Sequence, residues 1–271
     1  MDFEHSKRSM KYQKRLNAFM EELVYPAETT HERERTMAGP EATATLRRLK
    51  TEAQERGLWN LFLPSEEWGT GLANVEYAPL AEIMGRSIEL APEATNCSAP
   101  DTGNMEVLAD FGSREQQQDW LVPLLNGEIR SCFAMTEPDV ASSDPRNLAA
   151  TAERRGDEYR INGKKWWTTG AMSSDCKIAI FMGVTDPRVE PRRRYSMILV
   201  PMDTAGVEVD RDLSIFGFHE RGGHGEVSFN DVRVPASNVI ADGGDGYMIA
   251  QARLGPGRIH HCMRLLGMAA V

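Results

Sequence analysis

The chain has 271 residues, 41% hydrophobic and 26% charged, a composition typical of a globular protein with length for one large domain or two smaller ones. Its net charge of −9 argues against nucleic-acid binding, because contacts with phosphates require a basic surface. The four cysteines form no CxxC pattern, which favours reduced thiols in a cytoplasmic protein over disulfides or a zinc site. No stretch is long and apolar enough to predict a membrane span.

The first part of the chain, from residue 6 to about 127, has the periodicity of helices. In the stretch VEYAPLAEIMGRSIEL, apolar residues recur three and four positions apart at Tyr77, Leu80, Ala81 and Met84. Gly57 and Gly112 stand where two helices are expected to end, because glycine is the usual residue just past a helix C-terminus. We therefore predict an all-α domain over residues 1–130.

The hydrophobic period changes to two between residue 131 and about residue 240. Short β-rich runs such as KIAIFMGVT and YSMILVP are bounded by Gly, Pro, Asn and Asp. They predict a middle antiparallel β-domain over residues 131–241. Inside it, Asn162-Gly163 has the sequence of a type I′ hairpin turn. Residues 242–271 return to helical periodicity, so the expected fold class is α+β.

Two adjacent tryptophans follow the predicted hairpin. Neighbours on a strand point to opposite faces, so Trp166 and Trp167 are not expected to share one core. Period two places Trp167 and Thr169 on one face, where an indole surface lies beside a hydroxyl group. The exposed indole is explained either by a domain interface or by a flat cofactor.

The stretch FAMTEPDVASSDP, residues 133–145, has two interpretations. Pro138 forces Glu137 out of helical geometry, and the serines Ser142 and Ser143 could cap a local turn. Alternatively, backbone N–H groups and the Thr136 hydroxyl leave the end of a strand and meet the polar edge of a ligand ring. The stretch alone leaves both interpretations open.

Taken together, these motifs resemble the acyl-CoA dehydrogenase family over essentially the whole chain. The similarity rests on NCSAPDTGNMEVL, CFAMTEPDVASSD, INGKKWW and RLGPGRIHHCMR, which occur in this order. They look most like the long-chain and 4-hydroxyacyl-CoA branch. The resemblance implies FAD-dependent α,β-dehydrogenation of a fatty acyl-CoA to the trans-2-enoyl-CoA, with electrons passed to an electron-transfer flavoprotein. It also implies a homo-oligomer, dimer or tetramer, and makes residues 242–271 the first helix of a C-terminal four-helix bundle.

The resemblance assigns FAD to residues at the two β-domain motifs: Phe133, Met135, Thr136, Ser142, Ser143, Trp167, Thr168 and Thr169. It implies that Thr136 bonds the pyrimidine edge of the isoalloxazine, Trp167 flanks the ring and Thr169 reaches N5. The serine that family members place near the pantetheine or FAD phosphates matches Ser142 by counting from TEP, or Ser143 if SD is aligned. Both remain candidates.

The acyl-CoA substrate is assigned by the resemblance to the GPGR segment and the same two serines. The segment comprises Gly255, Pro256, Gly257 and Arg258, and Arg258 is the expected contact with the CoA end. In a minority of the family the catalytic carboxylate stands one residue before this arginine, where the chain has Gly257. The base usual in the family would lie beyond Val271. We therefore expect no catalytic residue within the chain and a C-terminally truncated, inactive dehydrogenase.

Other expectations concern alternatives and the last helix. There are two alternative functions. One is an acyl-CoA oxidase or flavin monooxygenase on the same fold, and the other is a non-catalytic fragment that binds acyl-CoA or a protein. His219 and His224 are assigned either to the acyl-CoA entrance or to a flexible loop. Pro256 is expected to kink or interrupt the last helix. Its apolar stripe is expected to lack a cover and to promote self-association, and it consists of Met248, Ile249, Ala252, Ile259, Met263, Leu266 and Ala270.

Overall fold

The computed structural model describes residues 4–38, 42–219 and 222–271. Within these ranges the α-helices are α1 (Lys7–Phe19), α2 (Tyr25–Ala38), α3 (Ala44–Glu55), α4 (Asn74–Gly85), α5 (Ala91–Ala94), α6 (Asp101–Phe111), α7 (Arg114–Gln116), α8 (Val122–Asn126) and α9 (Gly246–Ala269). Short π-helical stretches, Met20–Val24 and Gln117–Leu121, connect α1 with α2 and α7 with α8. In the described ranges we find no helix with the length and apolar character that crossing a bilayer requires.

The strands form one sheet whose members are β1 (Arg130–Ala134), β2 (Thr151–Arg155), β3 (Glu158–Thr169), β4 (Cys176–Val184), β5 (Tyr195–Pro201), β6 (Val207–Asp212) and β7 (His224–Pro235). The strand order is β1-β4-β2-β3-β7-β6, and β5 pairs with β4. β1 and β2 both lie parallel to β4, whereas the other pairs are antiparallel. The predicted α+β class is confirmed, but the sheet is mixed rather than purely antiparallel. The parallel pairs arise because long connections separate β1 and β2 from β4.

The chain forms two compact units, one holding the described residues up to Gly103 together with Leu254–Val271, and the other Asn104–Arg253. In the first, the side chains of Ser6 and Thr43 cap α1 and α3 by accepting the N–H groups of Ser9 and Leu46. The inward faces of its helices bury large apolar side chains, including Leu16, Phe19, Met20, Leu46, Leu49, Tyr77, Leu80 and Met84. The predicted domain boundaries at residues 130 and 241 stay a prediction.

The core of the second unit fills the curved sheet. Its fully or nearly fully buried members include Cys132, Ala134, Ile161, Phe181, Ile198, Val200, Val227, Phe229 and Val232. Strand β4 is buried along almost its whole length, because it has neighbours on both edges, whereas the edge strand β6 is mostly exposed. Phe181 and Phe229 join the central strands, with ring centroids 4.9 Å apart.

The hairpin predicted at Asn162-Gly163 is wrong. The turn between β2 and β3 lies at Gly156, which has φ 64°, while Asn162-Gly163 lies inside β3 at a register shift against β7. Glycine is needed there for close packing: a Cβ atom at residue 163 would lie 2.4 Å from the Cβ atom of Ala150. Asn162 accepts a hydrogen bond from the backbone of Asp231 at 2.9 Å, so the pair serves a bulge rather than a turn.

Helix α9 continues through Pro256, so the predicted interruption is wrong, while the alternative of a kink stays a prediction. A proline inside a helix removes one hydrogen bond and its ring crowds the preceding turn. Gly255 and Gly257 flank it, and a Cβ atom at either position would meet nothing within 4 Å. Pro256 therefore lies within α9 without ending it.

The last turns of α9 pack closely on α4. A Cβ atom built on Gly267 would lie 1.9 Å from the carbonyl oxygen of Glu82, and one on Gly85 would lie 2.0 Å from that of Arg264. The face that packs here carries Gly267 and the buried Arg264, whereas the predicted apolar stripe is exposed as expected, apart from the buried Ile249 and the partly buried Met263. The apolar side chains that remain about half exposed on α9 are Met248, Ile259, Leu265, Leu266 and Met268.

We expect the paired substitution Leu265→Lys and Leu266→Lys to reduce self-association of the chain. These neighbours are 58% and 56% exposed, so lysine removes apolar surface without disturbing a core. The measurement is sedimentation velocity at several protein concentrations. As a matched control, Met10→Lys replaces a 49% exposed apolar residue on α1. A wild-type chain that is monodisperse and monomeric would contradict this expectation.

Protonation of the buried His260 is expected to destabilise the protein at acidic pH. It is 1% exposed, and its Nε2 atom lies 2.9 Å from Oδ1 of Asn74. Burial, together with the charges of Arg264 and His261, lowers its pKa from 6.5 to about 4. The unfolded chain therefore binds the proton more readily, and stability falls as the pH drops below about 6.5. The loss between pH 7 and pH 5 is ~2 kcal/mol.

The comparison variant is His260→Gln, whose amide can donate to Asn74 but does not titrate. Glu106, in the other unit, titrates with the opposite sign, because burial raises its pKa to about 7. The informative quantity is thus the wild-type minus variant difference in unfolding free energy, measured by urea denaturation at pH 7 and pH 5. Equal pH dependence in the two proteins would exclude His260 as the source.

Candidate functional site

The two sequence motifs of the β unit meet at the end of β1. Thr136 follows β1, and its carbonyl oxygen accepts a hydrogen bond from the backbone N–H of Trp166 at 3.0 Å. The segment from Met135 to Thr136 therefore lies beside the Trp166-Trp167 segment of β3. The structure thus brings together residues that are 30 positions apart in the sequence.

A buried ion pair joins the same two segments. Nζ of Lys165 donates to Oε1 of Glu137 at 2.7 Å, to the carbonyl of Met135 at 2.9 Å and to that of Met182 at 2.6 Å. All three hydrogens of the ammonium group thus have acceptors, although the side chain is completely buried. Burial lowers the pKa of Lys165 to about 8, and the Glu137 carboxylate opposes this shift. Lys165 is also 4.9 Å from the Phe181 ring centroid.

Glu137 organises the loop that follows β1. Its carboxylate accepts the backbone N–H groups of Ala149 and Ala150 at 2.8 and 3.1 Å. Its own backbone exchanges two hydrogen bonds with the Ser142 hydroxyl, at 3.0 and 2.9 Å. Ser142 is therefore used within the loop, as the turn interpretation predicts, whereas Ser143 is exposed. Between the two candidate serines, the geometry favours Ser143 as the one that can contact a ligand.

Trp167 lies at a bulge and has an unusual backbone. Its φ is 50°, a left-handed value that is uncommon for a bulky residue, and the β3–β7 register shifts between Lys165 and Thr168. The indole is 40% exposed. The bulge also changes the alternation of faces, so the Trp166 and Trp167 rings lie near each other, with centroids 6.0 Å apart. Trp167 is thus an aromatic surface at the rim of the sheet rather than a core residue.

Thr169 and Trp167 share a face, because both contact His224. Thr169 and His224 are paired across β3 and β7, and Oγ1 of the threonine lies 2.9 Å from Nδ1 of the histidine. The Trp167 and His224 rings have centroids 5.8 Å apart. The predicted common face is confirmed, and His224, which the sequence left between two interpretations, is a strand residue beside this face.

His224 is held firmly by its backbone. Its N–H donates to Oδ1 of Asp212 at 2.8 Å, and its carbonyl accepts from Leu213 at 3.0 Å. The preceding Gly222 and Gly223 have φ 77° and 61°, and their carbonyls accept the N–H groups of Met172 and Gly170. The imidazole is therefore placed by strand geometry rather than by a flexible loop.

Phe133, another predicted ligand residue, lies under a guanidinium group. Arg253 is 4.0 Å from the Phe133 ring centroid and donates to Oδ1 of Asn104 at 3.1 Å. Asn104 in turn donates to the Ser131 hydroxyl at 2.9 Å. Because one of its ring faces is occupied by Arg253, Phe133 has at most the other face and its edge for a ligand.

The GPGR segment belongs to the other compact unit. Gly255, Pro256, Gly257 and Arg258 stand in the middle of α9 and belong to the helical compact unit, whereas the residues around Trp167 belong to the β unit. The Arg258 side chain is exposed. Its predicted contact with the CoA end of a substrate stays a prediction.

Sequence reasoning missed Lys165, Glu137 and Arg253. One signal was available for Lys165, since it continues the inward positions Tyr159 and Ile161 of β3, where a charged residue requires a buried partner. The partner itself could not be identified, because Glu137 reaches it only through folding. In the described part of the chain, no cluster of three or more His, Cys, Asp or Glu side chains could hold a metal ion.

The polar and aromatic groups of this region fit a flat ring with a polar edge. Trp167 offers an exposed ring face, and Thr169 offers a hydroxyl beside it. Two buried groups nearby in β3, Nε1 of Trp166 and Oγ1 of Thr168, have no hydrogen-bond partner among the described residues. Such groups are rare in folded proteins and are often used by a ligand or water. The arrangement therefore fits an isoalloxazine.

Comparison with known proteins identifies the family of the chain. Residues 6–128 match the family model described as acyl-CoA dehydrogenase, N-terminal domain, and residues 132–232 match the one for the middle domain. The Mycobacterium tuberculosis protein named "Probable acyl-CoA dehydrogenase FadE2" is 54% identical, over 99% of this chain and 66% of its own length. Mouse acyl-CoA dehydrogenase family member 10 is 53% identical, over 95% of this chain and 25% of its own length.

A solved structure from Mycobacterium abscessus, assigned to the acyl-CoA dehydrogenases, is 52% identical, with a TM-score of 0.93 over 98% of this chain and 68% of that one. The helical region and the mixed β-domain thus correspond to the N-terminal and middle domains of one general class of proteins, the acyl-CoA dehydrogenases. More particularly, the chain belongs to the acyl-CoA dehydrogenase family. It spans about two thirds or less of the length of the curated relatives named above.

Proposed function

We propose that the protein takes part in FAD-dependent α,β-dehydrogenation of a fatty acyl-CoA, giving the trans-2-enoyl-CoA. The observation that carries this proposal is the grouping of Thr136, Trp167 and Thr169 at the sheet rim, in a chain of the acyl-CoA dehydrogenase family. FAD, when bound, accepts the hydride removed from the substrate. The rim residues then hold the ring, and their hydrogen bonds adjust its electronics.

Each rim residue has a distinct role in the proposal. Trp167 covers one face of the ring and excludes water from it, which its left-handed backbone makes possible by turning the indole outward. Thr169 presents its hydroxyl towards N5, and Thr136 bonds the pyrimidine edge. Met135 and Thr168 complete the contact along the strand ends. Lys165 and Glu137 act beneath them by fixing the Met135 carbonyl relative to β3.

The proposed substrate and partners follow from the family. Arg258 binds the CoA portion, and the acyl group belongs to the long-chain or 4-hydroxyacyl class. Electrons leave to an electron-transfer flavoprotein, and the working form is a homo-oligomer. A cytoplasmic location is supported by the cysteines, since Cys97, Cys132 and Cys176 are buried free thiols and Cys262 is an exposed one.

The flavin site is tested by titrating FAD with the purified chain. Binding is monitored through the quenching of flavin fluorescence. We expect weak binding, and we expect Trp167→Ala to weaken it about tenfold further, because stacking on the indole is lost. Trp68→Ala is the matched control, because Trp68 is a partly exposed indole of the helical unit. Equal effects of the two substitutions would remove the support for Trp167 as the flavin platform.

The catalytic base is proposed to come from outside residues 1–271. Position 257, where a minority of the family has its carboxylate, is a glycine. We therefore expect the 271-residue chain, supplied with FAD and a long-chain acyl-CoA under anaerobic conditions, to show no bleaching of the flavin absorbance. Turnover by the purified chain would contradict an external base. Rapid reoxidation of chemically reduced, bound flavin by oxygen would instead indicate an oxidase or monooxygenase.

A further inference from the structure

The pairing of His224 with Thr169 places one hydrogen between two atoms that can each donate or accept. Nδ1 of His224 lies 2.9 Å from Oγ1 of Thr169, which is hydrogen-bonding distance. A hydroxyl group has only one hydrogen, whereas a neutral imidazole carries its proton on one of two nitrogens. The direction of this bond therefore decides whether the threonine hydrogen is directed to the histidine or away from it.

We propose that His224 carries a proton on Nδ1, donates it to Thr169, and thereby directs the single Thr169 hydroxyl hydrogen towards the ligand. This inference rests on the proposed function, in which Thr169 donates a hydrogen bond to flavin N5. If Thr169 donated to His224 instead, only oxygen lone pairs would face the ligand. His224 is thus a positioning residue that acts through Thr169 and does not itself contact the reacting atoms.

The surroundings of His224 hold the imidazole in one orientation. The side chain is 7% exposed, and the ring lies against the Trp167 indole with centroids 5.8 Å apart. Both backbone polar groups are bonded, the N–H to Asp212 and the carbonyl to Leu213. Because ring and backbone are both fixed, Nδ1 has a defined direction towards Oγ1. A hydroxyl oriented before a ligand arrives does not have to reorganise when it binds.

The pairing of the two strands also determines which ring nitrogen of His224 faces Thr169. Thr169 and His224 are directly paired residues of neighbouring strands, so their side chains leave the sheet side by side. Nδ1 is the ring nitrogen nearer the backbone and is the one that faces Thr169. A shorter amide can place a donor near the same point, which makes asparagine the substitution that preserves the proposed bond.

The first test uses the ligand-free chain. Nitrogen-15 NMR of labelled histidine distinguishes a protonated Nδ1 from a bare one. With His224 assigned through the loss of its signals in His224→Asn, we expect a protonated Nδ1. A bare Nδ1, with the proton on Nε2 alone, overturns the proposal whatever the protein does with FAD.

The second test measures affinity for oxidised and reduced FAD in the full chain. His224→Phe keeps a ring against Trp167 but removes the donor that orients the hydroxyl, and we expect it to weaken binding of oxidised FAD, whose N5 accepts a hydrogen bond, relative to reduced FAD about tenfold. That ratio equals ~30 mV in the midpoint potential of a two-electron couple. Thr169→Val should give a shift in the same direction that is at least as large, because it removes the hydroxyl itself. The double variant should give no shift beyond that of Thr169→Val, because the histidine acts only through the threonine.

His224→Asn should stay close to the wild type, since its amide restores the donor. A shift in Thr169→Val without one in His224→Phe overturns the role of His224 and leaves the proposed function standing. The absence of a shift in Thr169→Val, or of any FAD binding, overturns the N5 assignment and the proposal with it. Additive shifts in the double variant would show that His224 acts by another route and would also overturn it.

Discussion

Replacing Lys165 by methionine is expected to lower the free energy of unfolding by ~3–5 kcal/mol, because the change leaves the Glu137 carboxylate buried without its counter-ion. Both side chains are almost fully buried, and the ammonium group satisfies three acceptors in different segments. Urea denaturation of wild type and variant, with equal slopes against urea concentration, measures the difference. The destabilisation is expected in the β unit, which contains all the hydrogen-bond acceptors of Lys165.

The neighbouring lysine is the matched control. Lys164 is 42% exposed and pairs with Asp210 and Glu226 at 3.1 and 3.0 Å on the surface of the sheet. Exposed ion pairs contribute ~0–1 kcal/mol, so Lys164→Met should change stability little. A Lys165→Met variant that is as stable as Lys164→Met would show that the buried pair is dispensable. Adding Glu137→Gln should recover part of the loss, because the uncompensated charge is removed.

Replacing Thr169 by valine in an extended protein that also carries the proposed base is expected to slow flavin reduction by the substrate. Valine matches the shape of threonine but cannot donate a hydrogen bond towards N5. Loss of one preorganised donor typically costs ~2–4 kcal/mol in the transition state, which is roughly a thirtyfold to thousandfold lower rate. Stopped-flow reduction at saturating acyl-CoA measures the effect, and KM should change much less than the rate.

Thr185→Val serves as the control for this second prediction. Thr185 is another partly buried threonine of the β unit, whose hydroxyl lies 2.7 Å from Oγ of Ser196, away from Trp167 in the strand order. Its replacement should leave the reduction rate close to that of the wild type. An unchanged flavin spectrum and an unchanged reduction rate in Thr169→Val would show that the N5 assignment is wrong.

Much of the fold could be predicted from hydrophobic periodicity. The helical spacing of Tyr77, Leu80 and Met84 and the continuous apolar run of β4 reflect how each element is buried, and burial is recorded locally in the sequence. The common face of Trp167 and Thr169 was also predicted, although the bulge at Trp167 interrupts the simple alternation on which that prediction rested. The strand partners were not, because pairing depends on residues far apart in the chain.

The errors in the prediction have specific physical causes. Asn162-Gly163 has the residues of a tight turn, but glycine also permits close approach, and only the position of Ala150 decides between the two uses. The bulge at Trp167 depends on a left-handed backbone at a residue that is not glycine, so the sequence does not indicate that a bulge forms there. Likewise, the roles of Glu137 and His224 depend on atoms supplied by other strands.

The close contact between α4 and α9 has a consequence for association. Gly85 and Gly267 bring the two backbones so near that α9 can neither rotate about its axis nor slide without a clash. The exposed side chains of Leu265, Leu266 and Met268 are therefore held in fixed positions before any partner arrives. A protein surface that docks there loses little conformational entropy in ordering this helix, so more of the apolar burial appears as binding affinity.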